Sequence, residues 1–176
     1  KFALGHANDP AKDFGWGRST AFAKSGSLIG GRNSVTSTGF DDRAWTAVDL
    51  PHDWAIDLPF SDNRELNEHG AKPLGRTYPE TSIGWYRRTF TIPASDNGRR
   101  ISIEFDGIFR DAMVILNGHY LGRNLSGYTP FRCDITDFVT YGGPNVLVVR
   151  VDATEYEGWF YEGAGIYRHV WLEKTS

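Results

Sequence analysis

The segment Ala112-Met113-Val114-Ile115-Leu116-Asn117-Gly118-His119-Tyr120-Leu121-Gly122 reads as two β-strands joined by a two-residue turn. Asn-Gly between apolar runs suits a type I′ turn, in which both central residues need positive φ. Strand patterns continue on either side. Tyr86, Arg88, Phe90 and Ile92 alternate with Arg87, Thr89 and Thr91 until Pro93 ends the run, and Asp96-Asn97-Gly98 marks the next turn. Ile101, Ile103 and Phe105 form the apolar face of another strand, stopped by Asp106-Gly107. Phe131 to Ile135 is a further short strand, and Thr136 to Val139 reads as a single helical turn. Val146 to Val151 is apolar on both faces apart from Arg150, the pattern of a central strand. Ile166, Arg168, Val170 and Leu172, opposite Tyr167, His169 and Trp171, form the last strand.

Short strands spaced by turns, with no long helices between them, argue an all-β, antiparallel β-sandwich. Residues 1–82 have a different texture, irregular and rich in Gly, Ser, Asp, Asn and Pro. They are expected to wrap the sandwich and to add an edge strand or two. No repeat or linker composition divides the 176 residues, so they read as a single domain large enough to bury a core.

Composition narrows the function. A net charge of −3 gives no polyanion-seeking surface, so nucleic acid is not an expected partner. No apolar run approaches the ~18 residues of a membrane span, and no membrane partner is expected. The single cysteine, Cys133, excludes an internal disulfide, and its alternation with Phe131 and Ile135 reads as a buried thiol. The five histidines have no ligand-like spacing, so neither a metal nor another cofactor is expected. The chain opens Lys-Phe rather than Met and reads as an excised or processed piece.

After Val151 the chain enters a loop crowded with acids, aromatics and glycines: Asp152, Glu157-Gly158-Trp159-Phe160-Tyr161-Glu162-Gly163-Ala164-Gly165. Aromatic faces stack on the C–H faces of sugars and carboxylates accept hydrogen bonds from vicinal hydroxyls, so this is the chemistry of a carbohydrate site.

Five strings, in order, carry a family resemblance: Trp45-Thr46-Ala47-Val48-Asp49-Leu50-Pro51-His52-Asp53-Trp54; Gly84-Trp85-Tyr86-Arg87-Arg88-Thr89-Phe90 with Ile92-Pro93; Phe105-Asp106-Gly107 with Ala112 through Gly118; Gly127-Tyr128-Thr129-Pro130-Phe131 with Asp134-Ile135-Thr136; and Gly163-Ala164-Gly165-Ile166-Tyr167-Arg168. From about Phe2 to Leu172 the chain resembles the N-terminal sugar-binding domain of family 2 glycoside hydrolases, which include β-galactosidases, β-glucuronidases and β-mannosidases. The resemblance implies a jelly-roll-like, galactose-binding-domain-like sandwich. It implies an immunoglobulin-like domain and a TIM barrel downstream as partners in the same polypeptide, with homo-oligomers of the full-length enzyme. The Leu50–Trp54 and Glu157–Gly165 strings look most like the β-galactosidase branch.

In such an enzyme the barrel holds the two catalytic carboxyls, which a retaining glycosidase needs about 5–5.5 Å apart on rigid supports. The Asn67-Glu68 pair, in a polar stretch with no flanking strand pattern, does not fit that role, and no catalytic residue is expected here. Asp152 either caps backbone N–H groups at the strand end or reaches the sugar, as the resemblance implies. Glu157, Trp159, Tyr161 and Glu162 are the other candidate substrate contacts, and Lys72 to Thr81, with Arg76, is a second candidate pocket-facing loop. His52 and Asp53 are adjacent on an extended segment, so they point apart and read as structural, with Pro51 setting a bend that docks Trp54. Arg168, on the face of Ile166 and Val170, reads as partly buried and paired to a carboxylate such as Asp53 or Asp106. The rival readings are a stand-alone carbohydrate-binding module, a β-glucuronidase or β-mannosidase member of the same family, and a purely structural domain.

Overall fold

The computed structural model describes residues 1–16, 24–31, 33–62, 70–158 and 162–176. Eight strands account for its regular structure: β1 (Phe2–Leu4), β2 (Ile83–Thr91), β3 (Arg100–Phe105), β4 (Ala112–Leu116), β5 (His119–Asn124), β6 (Phe131–Asp134), β7 (Pro144–Asp152) and β8 (Val170–Thr175). They form a five-stranded sheet in the order β1-β2-β7-β4-β5 and a three-stranded sheet in the order β6-β3-β8. Every strand pairing is antiparallel. The only helical element among the described residues is a 3₁₀ turn, Ala94–Asp96, leading into the Asn97-Gly98 turn.

The hairpin closes as its sequence requires. Leu116 faces His119, with φ of 50° at Asn117 and 83° at Gly118. Asn117 also ties the turn to the sheet. Its Nδ2 donates to the carbonyl of Phe138 and to Asn145 Oδ1, each at 2.8 Å, and its Oδ1 accepts the Val146 N–H at 2.8 Å.

Two cores sandwich the larger sheet. One lies between the sheets, where Tyr86, Ala112, Val114, Leu116, Val149 and Val151 meet Ile101, Ile103, Phe105 and Ile135. The other lies on the outer face, where Ile83, Trp85, Met113, Ile115, Val146 and Val148 are covered by Trp16, Val35 and Trp45. Neighbours along β2, β4 and β7 thus alternate between the cores with the strand period of two. Among the described residues of the N-terminal half, Trp16, Val35 and Trp45 cover the outer face, and Phe2–Leu4 supplies the edge strand β1. The central position of β7, between β2 and β4, follows from its two apolar faces.

Three expectations are corrected. The last strand begins at Val170, not Ile166, because the chain before it is already paired: the N–H groups of His52 and Trp54 donate to the carbonyls of Ile166 and Ala164, at 2.8 and 2.9 Å. The chain then turns and leaves Arg168 exposed, its guanidinium 5.5 Å from the Tyr167 ring centre, with no carboxylate partner among the described residues. Asp53 serves backbone N–H groups instead, and Asp106 accepts the Trp171 indole N–H at 2.9 Å. Finally, residues 136–138 form a hydrogen-bonded turn, Phe138 N–H to Ile135 carbonyl at 2.9 Å, and not a helical one. Cys133 is half-buried, and burial pushes its thiol up to about 11, which keeps it protonated and unreactive at neutral pH.

Asn117→Ala places a Cβ-bearing residue without a local hydrogen bond in the left-handed region and strips the Val146 N–H of its acceptor. The expected loss is about 2–3 kcal/mol in urea unfolding, with the m-value unchanged. A loss under about 0.5 kcal/mol would mean that the turn is not what registers the hairpin.

Candidate functional site

The outer face of β7 runs Val146, Val148, Arg150, Asp152, so an apolar stripe ends in a cation and an anion. Arg150 is 6% exposed and Asp13, on the turn after Pro10, is 1% exposed. A guanidinium this deep needs a carboxylate with good geometry. Asp13 supplies it. Its Oδ2 accepts Arg150 Nε at 3.0 Å and lies 2.9 Å from Nη2, while its Oδ1 accepts the Trp85 indole N–H at 2.6 Å. Burial holds the Asp13 carboxyl above the usual carboxylate range, with Arg150 and Trp85 opposing that shift.

The third Arg150 nitrogen, Nη1, reaches Asp152 Oδ2 at 3.3 Å. Asp152 Oδ1 accepts the Thr154 N–H at 3.1 Å and its hydroxyl at 2.6 Å. The capping role foreseen for Asp152 is therefore present, and the same half-buried carboxylate also lines a pocket of about 880 Å³. Arg76, Asp111, Met113, Arg123, Glu155 and Trp16 share that lining. Arg123 holds Asp111 through two hydrogen bonds, and Arg76 donates to Glu155 Oε1 at 2.6 Å. The volume falls in the range of small-molecule sites, and charged hydrogen-bonding groups beside an indole suit a polyhydroxylated ligand.

The acids of the aromatic loop divide. Glu157 joins loops: its Oε1 accepts the Ser126 hydroxyl at 2.8 Å, and its Oε2 accepts the Gly127 N–H at 2.6 Å and lies 3.3 Å from Arg110 Nε. Glu162 is 1% exposed. Its Oε1 accepts the N–H groups of Glu157 and Gly158, at 2.8 and 2.5 Å, and the Tyr128 hydroxyl at 3.1 Å. Burial, with the Glu162 charge, drives the Tyr128 hydroxyl well above its ordinary value. Neither acid is among the groups lining the pocket around Asp152. Trp159 and Tyr161 lie outside the described residues, as does Asn67-Glu68.

The pocket gathers residues that sequence reasoning passed over: Asp13, Asp111, Arg123 and Glu155. One signal was there, since a cation on an otherwise apolar strand asks for an acid. Arg76, from the second candidate loop, does join Asp152 in the pocket.

His52, Asp53 and Trp54 form the clasp under the loop's end. His52 Nδ1 lies 2.7 Å from the Tyr86 hydroxyl, and Trp54 donates its indole N–H to the Thr81 carbonyl at 2.8 Å. Asp53 Oδ1 accepts the N–H groups of Ala55 and Ala164, at 2.9 and 2.8 Å. A Cβ at Gly163 would collide with the Asp53 carboxylate, so glycine is required where the loop lands. Among the described residues no group of three or more His, Cys, Asp or Glu side chains is arranged to hold a metal ion, and no helix is long and apolar enough to cross a membrane.

A family model for the glycosyl hydrolases family 2 sugar-binding domain matches residues 34–176. The chain belongs to glycoside hydrolase family 2. Relatives of this family 2 domain carry more than one activity in their names. The β-galactosidase BoGH2A of Bacteroides ovatus is 42% identical over 150 residues, covering 84% of this chain and 17% of that protein. A putative β-glucuronidase of Formosa agariphila is 34% identical over 137 residues, covering 77% of this chain and 13% of that one. A family 2 glycosyl hydrolase structure from Bacteroides cellulosilyticus superposes with a TM-score of 0.63 at 36% identity, over 80% of this chain and 18% of its own. A β-glycosidase structure from Bacteroides vulgatus gives 0.67 at 33% identity, over 79% and 17%. The chain thus spans less than a fifth of the length of these relatives.

The clasp makes stability depend on pH. Burial lowers the His52 imidazole below its ordinary value, so the unfolded chain binds that proton more tightly than the folded one. The clasp's contribution is complete above the unfolded value near 6.5 and declines as pH falls through it. Asp13 and Asp53, raised by burial, act with the opposite sign, adding stability as pH falls through their raised values. In urea titrations between about pH 7.5 and 5.5, His52→Gln is expected to flatten the decline. A slope unchanged by the substitution would place the titrating group elsewhere.

Proposed function

We propose that residues 1–176 are the non-catalytic N-terminal domain of a retaining β-galactosidase, and that their loops form one wall of its sugar pocket. One observation carries this reading. Asp152 stands at the end of the central strand, at the rim of an 880 Å³ pocket, held at both oxygens with its side chain 22% exposed. The parent enzyme would cleave a terminal β-glycosidic bond through a covalent glycosyl-enzyme intermediate, using two carboxyls carried by a downstream barrel. This domain then contributes binding and orientation, which act through kcat/KM.

Two observations favour a neutral galactoside over a glucuronide. The β-galactosidase relative has the higher identity of the two named above. Among the described residues, each guanidinium lining the pocket is already met by a carboxylate: Arg150 by Asp13 and Asp152, Arg123 by Asp111, and Arg76 by Glu155. A uronate carboxylate entering there would find repulsion from Asp152 and, among the described lining residues, no unneutralised cation to offset it. Glu157 and Glu162, occupied with backbone and loop partners, serve the wall's shape, and Trp159 and Tyr161 remain candidates for stacking on the sugar.

In the full-length enzyme, Asp152→Ala is expected to lower kcat/KM for p-nitrophenyl β-galactoside about 10- to 100-fold, the size of one lost hydrogen bond to a charged acceptor, with the circular dichroism unchanged. Unchanged kinetics in a folded variant would remove Asp152 from the pocket. The isolated 176 residues are expected to turn over no glycoside and to give no calorimetric heat with galactose or lactose. Measurable affinity there would favour the stand-alone binding module.

A further inference from the structure

Arg150 has two carboxylates competing for it, and the geometry divides them unequally. Asp13 Oδ2 takes Nε at 3.0 Å and Nη2 at 2.9 Å, while Asp152 Oδ2 has Nη1 alone, at 3.3 Å. Asp13 is fixed from its far side by the Trp85 indole at 2.6 Å and, more weakly, by the His6 N–H at 3.4 Å. A Cβ at Gly5 would strike both the Asp13 carboxylate and the Trp85 indole, so the backbone itself presses close upon this pair. The relay Trp85–Asp13–Arg150–Asp152 therefore runs from the buried outer core to the pocket rim.

We propose that Asp13 is a positioning residue for substrate, acting through Arg150 to set the orientation and free charge of the Asp152 carboxylate. This rests on the reading of Asp152 as a sugar contact. With Asp13 ionised, the Arg150 charge is largely met from below, and Asp152 keeps lone-pair capacity for a sugar hydroxyl. With Asp13 neutral, Arg150 has only Asp152 to pair with. The carboxylate is drawn down onto the guanidinium, and the pocket loses an acceptor without losing the residue that bears it. Among the described residues, the remaining charged groups lining the pocket, Asp111, Arg123, Arg76 and Glu155, are paired among themselves and are not expected to replace Asp13.

The test is a double-mutant cycle in the full-length enzyme with p-nitrophenyl β-galactoside. Asp13→Asn preserves shape and removes charge, and it is expected to raise KM about tenfold with kcat changed less than about twofold. Combined with Asp152→Ala it should add nothing to the KM of Asp152→Ala alone, because both changes remove the same acceptor. A merely structural Asp13 would give a multiplicative double variant, or unchanged KM with lowered stability, and either result overturns the proposal. Should Asp13→Asn not fold, Asp13→Glu keeps the charge that meets Arg150 and is expected to hold KM within about twofold of the wild type, whereas a tenfold rise in KM with the charge retained overturns the proposal. An Asp152→Ala variant with normal KM would instead sink the pocket reading itself and this inference with it.

Discussion

The five-stranded sheet has to bury both of its faces, because β2, β4 and β7 carry apolar side chains at odd and even positions alike. The smaller sheet covers one face. The other would expose Ile83, Trp85, Met113, Ile115, Val146 and Val148 to water, at roughly 1.5–3 kcal/mol for each large side chain. The N-terminal half resolves this by laying Trp16, Val35 and Trp45 over that face, with Phe14, Ile29 and Phe40 packed around them. The irregular half is therefore a structural layer. Its want of periodicity reflects the task of following a twisted sheet with loops.

Within that layer a charge is trapped. Arg150 lies on a strand face that is otherwise apolar, and removing its Asp13 partner would leave the buried guanidinium with Asp152 alone, 3.3 Å from a single nitrogen. Buried ion pairs are often matched or bettered in stability by apolar residues of similar volume, so stability alone does not account for this one. The reason offered by the geometry is at its outer end, where Arg150 meets Asp152 at the pocket rim. The acids of the following loop work differently. Glu162 and Asp53 accept backbone N–H groups, and Glu157 adds a hydroxyl and the Arg110 guanidinium to its backbone bond. Together they fold the loop's two ends onto the sandwich.

The parts legible in the sequence were those set by local chemistry. Asn117-Gly118 has few options other than a tight hairpin, and the two-faced apolar run of β7 has none but the middle of a sheet. Long-range pairings were hidden. Asp13 and Arg150 are 137 positions apart, and Asp13 sits in a segment without period, so the strand announced a missing partner without naming it. The apolar alternation from Ile166 to Leu172 suggested one strand because nothing local reveals that residues 164–166 are already bonded to 52–54. Glu162 was visible as an acid among aromatics, but its burial arises only when the loop closes on its own backbone.

In the proposed enzyme the β7 strand end and the N-terminal layer together form one wall of a sugar pocket whose catalytic groups belong to the rest of the polypeptide. A crystal structure of the full-length enzyme with galactose bound tests it most directly. The Asp152 carboxylate is expected within hydrogen-bond distance of a galactose hydroxyl, with the Asp13–Arg150 pair intact beneath it. Galactose seated with no group from residues 1–176 in contact, or Asp152 turned wholly onto Arg150, would contradict it.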